Sequence, residues 1–153
     1  DELGEGDGHG FNLNIPLPYG SGNEAYADVM KRLIRPAISR FEPDLIIVAC
    51  GQDANQVDPN GRNLLDMAGF RVLGRAVCEL AADISSGRLL LCQEGGYAIT
   101  YTGFCMYAVA EGILGVDEPL GDPLAYDASI EKPEAALEAV KRIEACWKEL
   151  NLF

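Results

Sequence analysis

No stretch of this chain stays apolar for the roughly 20 residues that a membrane-spanning helix needs. Histidine is nearly missing: His9 is the only one among 153 residues. One histidine cannot supply both a metal site and a general base, and His9, flanked by glycines, reads as a plain surface residue. Basic residues are scarce as well. Twelve Lys and Arg stand against 24 Asp and Glu, a net charge of −12. That balance argues against a direct nucleic-acid partner, because such binders gather Lys and Arg on one face. It serves solubility first, with steering of cationic substrates as the second reading.

The five cysteines, Cys50, Cys78, Cys92, Cys105 and Cys146, include no CxxC pair. This suits reduced thiols in a cytoplasmic protein better than a zinc or disulfide framework. The run Gly4 to Gly10 lacks the strand-to-helix setting of a dinucleotide fingerprint. There are no internal repeats or low-complexity tracts. The opening Asp1-Glu-Leu-Gly has neither an initiator methionine nor signal-peptide character, and reads as the middle of a longer chain. The length suits one domain.

What the sequence does contain is two short apolar runs with polar tips. Leu45 to Cys50 leaves no polar face, as expected of a parallel strand covered on both sides, and is followed by Gly51-Gln-Asp53. Leu89 to Gln93 is followed by Glu94-Gly-Gly-Tyr97. In open parallel sheets the ligand crevice lies beyond the carboxyl ends of the strands, so Asp53 and Tyr97 are placed on one rim. A third strand is expected at 11–17, where Phe11, Leu13, Ile15 and Leu17 alternate and Pro16 and Pro18 close it.

Helices are expected around these runs. Ser21 and Glu24 have capping-box spacing, and Tyr26 to Phe41 carries an apolar stripe interrupted by Pro36, which should kink it or rest against solvent. Asp58-Pro-Asn-Gly61 is a turn signature. Met67 to Ile84, Phe104 to Leu114 and 133–150 complete the set, with loop at 116–132. Strand–helix alternation implies an α/β fold with a parallel sheet flanked by helices on both faces, with about three strands and four helices. So narrow a sheet leaves an apolar edge that needs cover.

Asp53 suits a metal ligand or a capping and turn residue. Two glycines before Tyr97 let backbone approach a ligand, and its phenol suits donation to a developing oxyanion; a tyrosine packed at a turn is the other reading.

Three segments carry a family resemblance: Gly8-His-Gly-Phe-Asn-Leu-Asn-Ile-Pro-Leu-Pro18, Phe41-Glu-Pro-Asp-Leu-Ile-Ile-Val-Ala-Cys-Gly-Gln-Asp-Ala54 with Asp58-Pro-Asn-Gly61, and Glu94-Gly-Gly-Tyr97. In order and spacing they resemble the histone deacetylase superfamily. The Glu-Gly-Gly-Tyr form and the Asn-Ile-Pro-Leu-Pro segment are most similar to its class II branch, including bacterial deacetylase-like amidohydrolases. The resemblance covers residues 1–115, the motif-bearing α/β part; 116–153 resembles the family's C-terminal loop and helix.

It implies a zinc-dependent hydrolase removing acyl groups from amines, on the arginase/deacetylase α/β fold. By resemblance Asp53 is a zinc ligand, Tyr97 hydrogen-bonds the substrate carbonyl and then the oxyanion, and Gly95 and Gly96 line the acyl-lysine channel. The zinc acidifies the attacking water and polarises the carbonyl.

The departures from the pattern are as informative. The family's tandem histidines, its Asp-x-His ligands and most of its structural K+ site lie in an N-terminal half that this sequence does not include. A catalytic zinc needs about three protein ligands, so the expectation is half an active site, inactive alone, whose partner is the missing half of the domain. Substrates implied are acetyl-lysine or another N-acyl amine such as an acetylpolyamine. The alternative is a non-catalytic half-domain, an interaction module that covers its sheet edge by homo-oligomerisation.

Overall fold

Strands β1 (Ile46–Cys50) and β2 (Leu89–Gln93) lie side by side and parallel, Ile46 opposite Leu89 and Cys50 opposite Gln93. The structure, a computed structural model, describes residues 2–117, 119–125, 127 and 133–150. Around the two strands stand α1 (Asn23–Val29), a π-helical segment (Met30–Ile34), α2 (Arg35–Phe41), α3 (Met67–Ile84), α4 (Ile99–Leu114) and α5 (Pro133–Glu149). A single 3-10 turn occupies Gly6–Gly8. No helix among the described residues is long and apolar enough to cross a membrane.

The π segment explains how one apolar stripe runs past Pro36. A proline inside an α-helix lacks the N–H and pushes its ring against the carbonyl four residues back. Here the Arg35 N–H reaches back five residues to Met30, widening the helix by one residue just before the proline. The stripe therefore continues without breaking: Val29 and Leu33 pack with Val140 and Trp147 of α5.

The tightest packing is between α3 and α4. Leu65, Met67 and Phe70 meet Tyr101, Cys105, Ala108 and Val109 in one buried cluster, where each large apolar side chain contributes about 1.5–3 kcal/mol. Two glycines allow the approach. A β-carbon on Gly74 would collide with the Val109 carbonyl, and one on Gly112 with the Arg71 carbonyl. Arg71 in turn forks onto Glu111 through Nε at 3.0 Å and an NH2 group at 2.7 Å, and Glu111 also accepts the Leu120 N–H at 2.6 Å. Burial alone would raise the Glu111 carboxyl, but the Leu120 N–H and Arg71 hold it below the usual range. The loop after α4 is thereby tied to the core.

Four expectations need correction. Residues 11–17 pair with no strand among the described residues, so the sheet has two strands, not three. Leu13, Ile15 and Leu17 still point inward onto the Val29–Trp147 cluster, so the alternation marks packing rather than a ladder. The capping box does not form: α1 starts after Gly22 with no side-chain cap. The Ser21 hydroxyl instead donates to the Pro18 carbonyl at 2.6 Å, while its own carbonyl accepts the Leu64 N–H.

Among the described residues, helices cover one sheet face only. Ile46, Val48 and Leu89 pack on α2 and α3, and Cys50 and Leu91 lie against the α3–α4 cluster. On the opposite face Leu45, Ile47 and Leu90 are exposed by 47, 61 and 49%. Finally, α4 begins at Ile99, five residues before the expected Phe104. Its first turn is rich in poor helix formers, and its N-terminal acceptor comes from a distant loop.

Candidate active site

Both strands end in loops, and the loops interlock. The Gln52 N–H donates to the Gly95 carbonyl at 3.1 Å, and Glu94 N–H to the Cys50 carbonyl at 3.4 Å. Gln93 Nε2 donates to the same Gly95 carbonyl at 2.9 Å. The loop after β1 also braces itself. Asn55 Nδ2 donates to the Gln52 carbonyl at 2.6 Å, and Asn55 Oδ1 accepts the Val57 N–H at 3.0 Å. Gln52 and Asn55 are fully buried, so these bonds form without competition from water.

Asp53 sits in this brace, half-buried, between the two glycines that flank it in space. A β-carbon on Gly95 would lie 2.5 Å from one Asp53 carboxylate oxygen, and one on Gly51 would lie 2.9 Å from the other. The carboxylate itself accepts no hydrogen bond and makes no ion pair among the described residues. Its charge is felt nearby: Tyr26, whose oxygen accepts Asn63 Nδ2 at 2.7 Å, is pushed above the ordinary phenol value by burial, with Asp53 adding to the rise.

Tyr97 follows at the end of the second loop. Gly96 has φ of +118°, a conformation that favours glycine, and a β-carbon there would press on Thr102. The Tyr97 side chain is 54% exposed, with its phenol unbonded among the described residues. What holds the residue is its backbone. Its N–H donates to Asp58 Oδ2 at 2.7 Å, and the Ala98 N–H reaches the same oxygen at 3.3 Å.

Asp58 is the residue that sequence reasoning undervalued, taking it only for a turn. It is 8% exposed, and its Oδ1 accepts Asn60 and Gly61 N–H at 2.8 and 2.9 Å. Gly61 closes the turn so tightly that a β-carbon there would collide with the Asp53 carbonyl. Only the Asp-Pro-Asn-Gly spacing signalled this; the donors from Tyr97 and Ala98 lie too far along the chain.

The described residues bring together Asp53, Gly95, Gly96 and Tyr97. His9 lies elsewhere, exposed in a hollow beside Phe11 and Phe41. No group of three or more His, Cys, Asp or Glu that fits a metal exists among the described residues. Asp53 is a single oxygen donor, and the described residues alone do not complete a metal site around it. Two thiols near these loops are held in the protonated form: burial, with Asp122 and Asp66 adding, pushes Cys105 up to about 12, and burial raises Cys50 as well. All five thiols are free. A cavity of about 610 Å³ lies beside β1, lined by Ile15, Leu17, Val29 and Phe70, and the hollow beside His9 and Phe11 measures about 660 Å³; neither Asp53 nor Tyr97 lines either one.

Comparison with known proteins agrees with this geometry. The family model described as the histone deacetylase domain matches residues 1–113. The chain is 46% identical over 146 residues to histone deacetylase 8 of Arabidopsis thaliana, covering 95% of this chain and 37% of that protein. It is 42% identical over 142 residues to a histone deacetylase-like amidohydrolase of Pseudomonas aeruginosa, again 37% of that protein. Among solved structures, that of the histone deacetylase Clr3 superposes with a TM-score of 0.74 at 29% identity, covering 92% of this chain and 22% of that one. The crystal structure of the HDA15 HD domain gives 0.78 at 25% identity, covering 98% of this chain and 38% of that one. The chain thus spans little more than a third of the curated relatives cited here. An α/β arrangement with two parallel strands whose tips carry Asp53 and Glu94-Gly-Gly-Tyr97, matched along most of its length by the deacetylase domain, places this chain in the histone deacetylase family.

Proposed function

We propose that this chain supplies the Asp53 and Tyr97 side of the active centre of a zinc-dependent deacetylase, class II-like. Its reaction is hydrolysis of N-acetyl-lysine or a related N-acyl amine such as an acetylpolyamine. Water adds to the acyl carbon, the C–N bond breaks, and the amine leaves with a proton. The observation that carries this reading is the Asp53 carboxylate, left without a donor on a braced rim beside the Gly95–Tyr97 loop.

Asp53 is the residue that would hold the zinc, which when bound supplies an acidified water and a polarised carbonyl. The exposed Tyr97 phenol donates to the substrate oxygen as negative charge develops there. Gly95 and Gly96, without side chains, leave room for the acyl arm. The general base and the other zinc ligands come from the remainder of the domain, along with the K+ site. That remainder packs on the open sheet face of Leu45, Ile47 and Leu90. We place the parent protein in the cytoplasm, in keeping with its free thiols.

The test is turnover of an acetyl-lysine peptide and an acetylpolyamine by the full-length protein. Loss of activity in Asp53→Ala and Tyr97→Phe supports the reading, and full activity in both refutes it. The exposed apolar face also supports a second reading, a non-catalytic module that pairs with a second copy. A dimer of this chain by sedimentation, with no turnover by the full-length protein, favours that one.

A further inference from the structure

We propose that Asp58 is a positioning residue for Tyr97: its carboxylate locks the loop after β2 to the loop after β1, so that the phenol acts from a fixed place. The inference rests on the deacetylase reading above, and Asp58 touches no reacting atom in it.

The geometry carries the argument. One buried carboxylate takes four backbone N–H groups, two from each loop: Asn60 and Gly61 on Oδ1, Tyr97 and Ala98 on Oδ2. Charge-assisted bonds of this kind are roughly twice as strong as neutral ones. No basic side chain pairs with Asp58 among the described residues, so those N–H groups are its whole compensation. Tyr97 depends on it correspondingly. Its phenol has no partner among the described residues, the residue is 54% exposed, and the one before it is a glycine at φ +118°. The other ties of that loop to the first strand and its loop are the Glu94 N–H on the Cys50 carbonyl and the Gln52 N–H on the Gly95 carbonyl, which Gln93 Nε2 also reaches. They fix Glu94 and Gly95 and leave the tyrosine to Asp58. On the other side, the same turn closes through Gly61 against the Asp53 carbonyl. Asp58 is thus the shared support of the two residues assigned to chemistry.

The experiment is a double-mutant cycle in the full-length protein, reading kcat and KM on an acetyl-lysine peptide. Asp58→Asn keeps the shape but replaces one acceptor oxygen with an NH2 group facing N–H donors. Expected is a roughly ten- to hundredfold fall in kcat, the scale of a misplaced reacting group, with KM within about twofold. In the Tyr97→Phe background the same change costs little further kcat, because the group it positions is already gone. An equal factor in both backgrounds overturns the proposal in favour of a purely structural role, and an unchanged kcat overturns it outright. If Tyr97→Phe alone leaves kcat unchanged, the role of Tyr97 is refuted and this inference with it; a fall in Tyr97→Phe without one in Asp58→Asn sinks only the inference. Should Asp58→Asn fail to fold, Ala98→Pro removes one donor to Oδ2 at a φ of −78° that proline accepts. The same split is expected there, and an unchanged kcat overturns the proposal.

Discussion

The Tyr97 N–H donates to the Asp58 carboxylate at 2.7 Å across 39 positions of sequence. This bond joins the turn after β1 to the start of α4, whose N-cap residue, Ala98, offers no side-chain cap of its own. A helix terminus leaves N–H groups unpaired; here a carboxylate from another loop takes up two N–H groups just before the first turn.

The bond makes stability depend on pH in a definite direction. Burial alone would raise the Asp58 carboxyl, but the N–H groups of Tyr97, Gly61, Asn60 and Ala98 outweigh it and hold it below the ordinary 3.8. With the folded value depressed, the unfolded chain takes up the proton first. The contribution is therefore complete above pH ~4 and is lost as pH falls through the folded value. Thermal melts should show the gap between wild type and Asp58→Asn at its widest near neutrality, closing on acidification. A gap that widens in acid contradicts this.

Tyr97→Phe should separate activity from stability. Removing one oxyanion donor costs about 10²–10³ in kcat. The phenol is exposed and unbonded among the described residues, so the melting temperature should hold. A variant that keeps its rate but melts early would mean the hydroxyl is structural.

Gly112→Ala should do the reverse. Its added methyl meets the Arg71 carbonyl across the α3–α4 seam, and overpacking of this kind costs about 1–3 kcal/mol. The unfolding free energy from denaturant titration should drop by that amount, lowering the midpoint, with zinc binding retained in whatever fraction folds. An unchanged midpoint would show that the seam has slack.

Gly95→Ala tests the rim itself. The new methyl would stand 2.5 Å from an Asp53 carboxylate oxygen, displacing it. Zinc affinity of the full-length protein should weaken with little loss of secondary structure by circular dichroism; unchanged affinity would remove Asp53 from the metal.

Much of this was legible in the sequence because it is local. Two apolar runs gave two strands, α3 fell on Met67–Ile84 as its periodicity predicts, and Asp53 and Tyr97 do emerge on one rim. What was not legible is long-range. Ser21 has the spacing of a cap but spends its hydroxyl on Pro18 and its backbone on Leu64. Residues 11–17 alternate like a strand because Leu13, Ile15 and Leu17 pack inward, and alternation does not reveal whether a ladder partner is present. The early start of α4 depends on Asp58, 40 residues away from Ala98. An apolar run likewise cannot show whether one or both of its faces are covered, and here Ile47 and Leu90 lie open.

On the deacetylase reading proposed above, Asp53 completes a zinc site whose other ligands lie outside the described residues. Zinc content of the purified full-length protein, its Asp53→Ala variant and the 153-residue chain alone tests it directly. The account predicts stoichiometric zinc with deacetylation in the first and neither in the other two. Zinc and turnover retained by Asp53→Ala would contradict it.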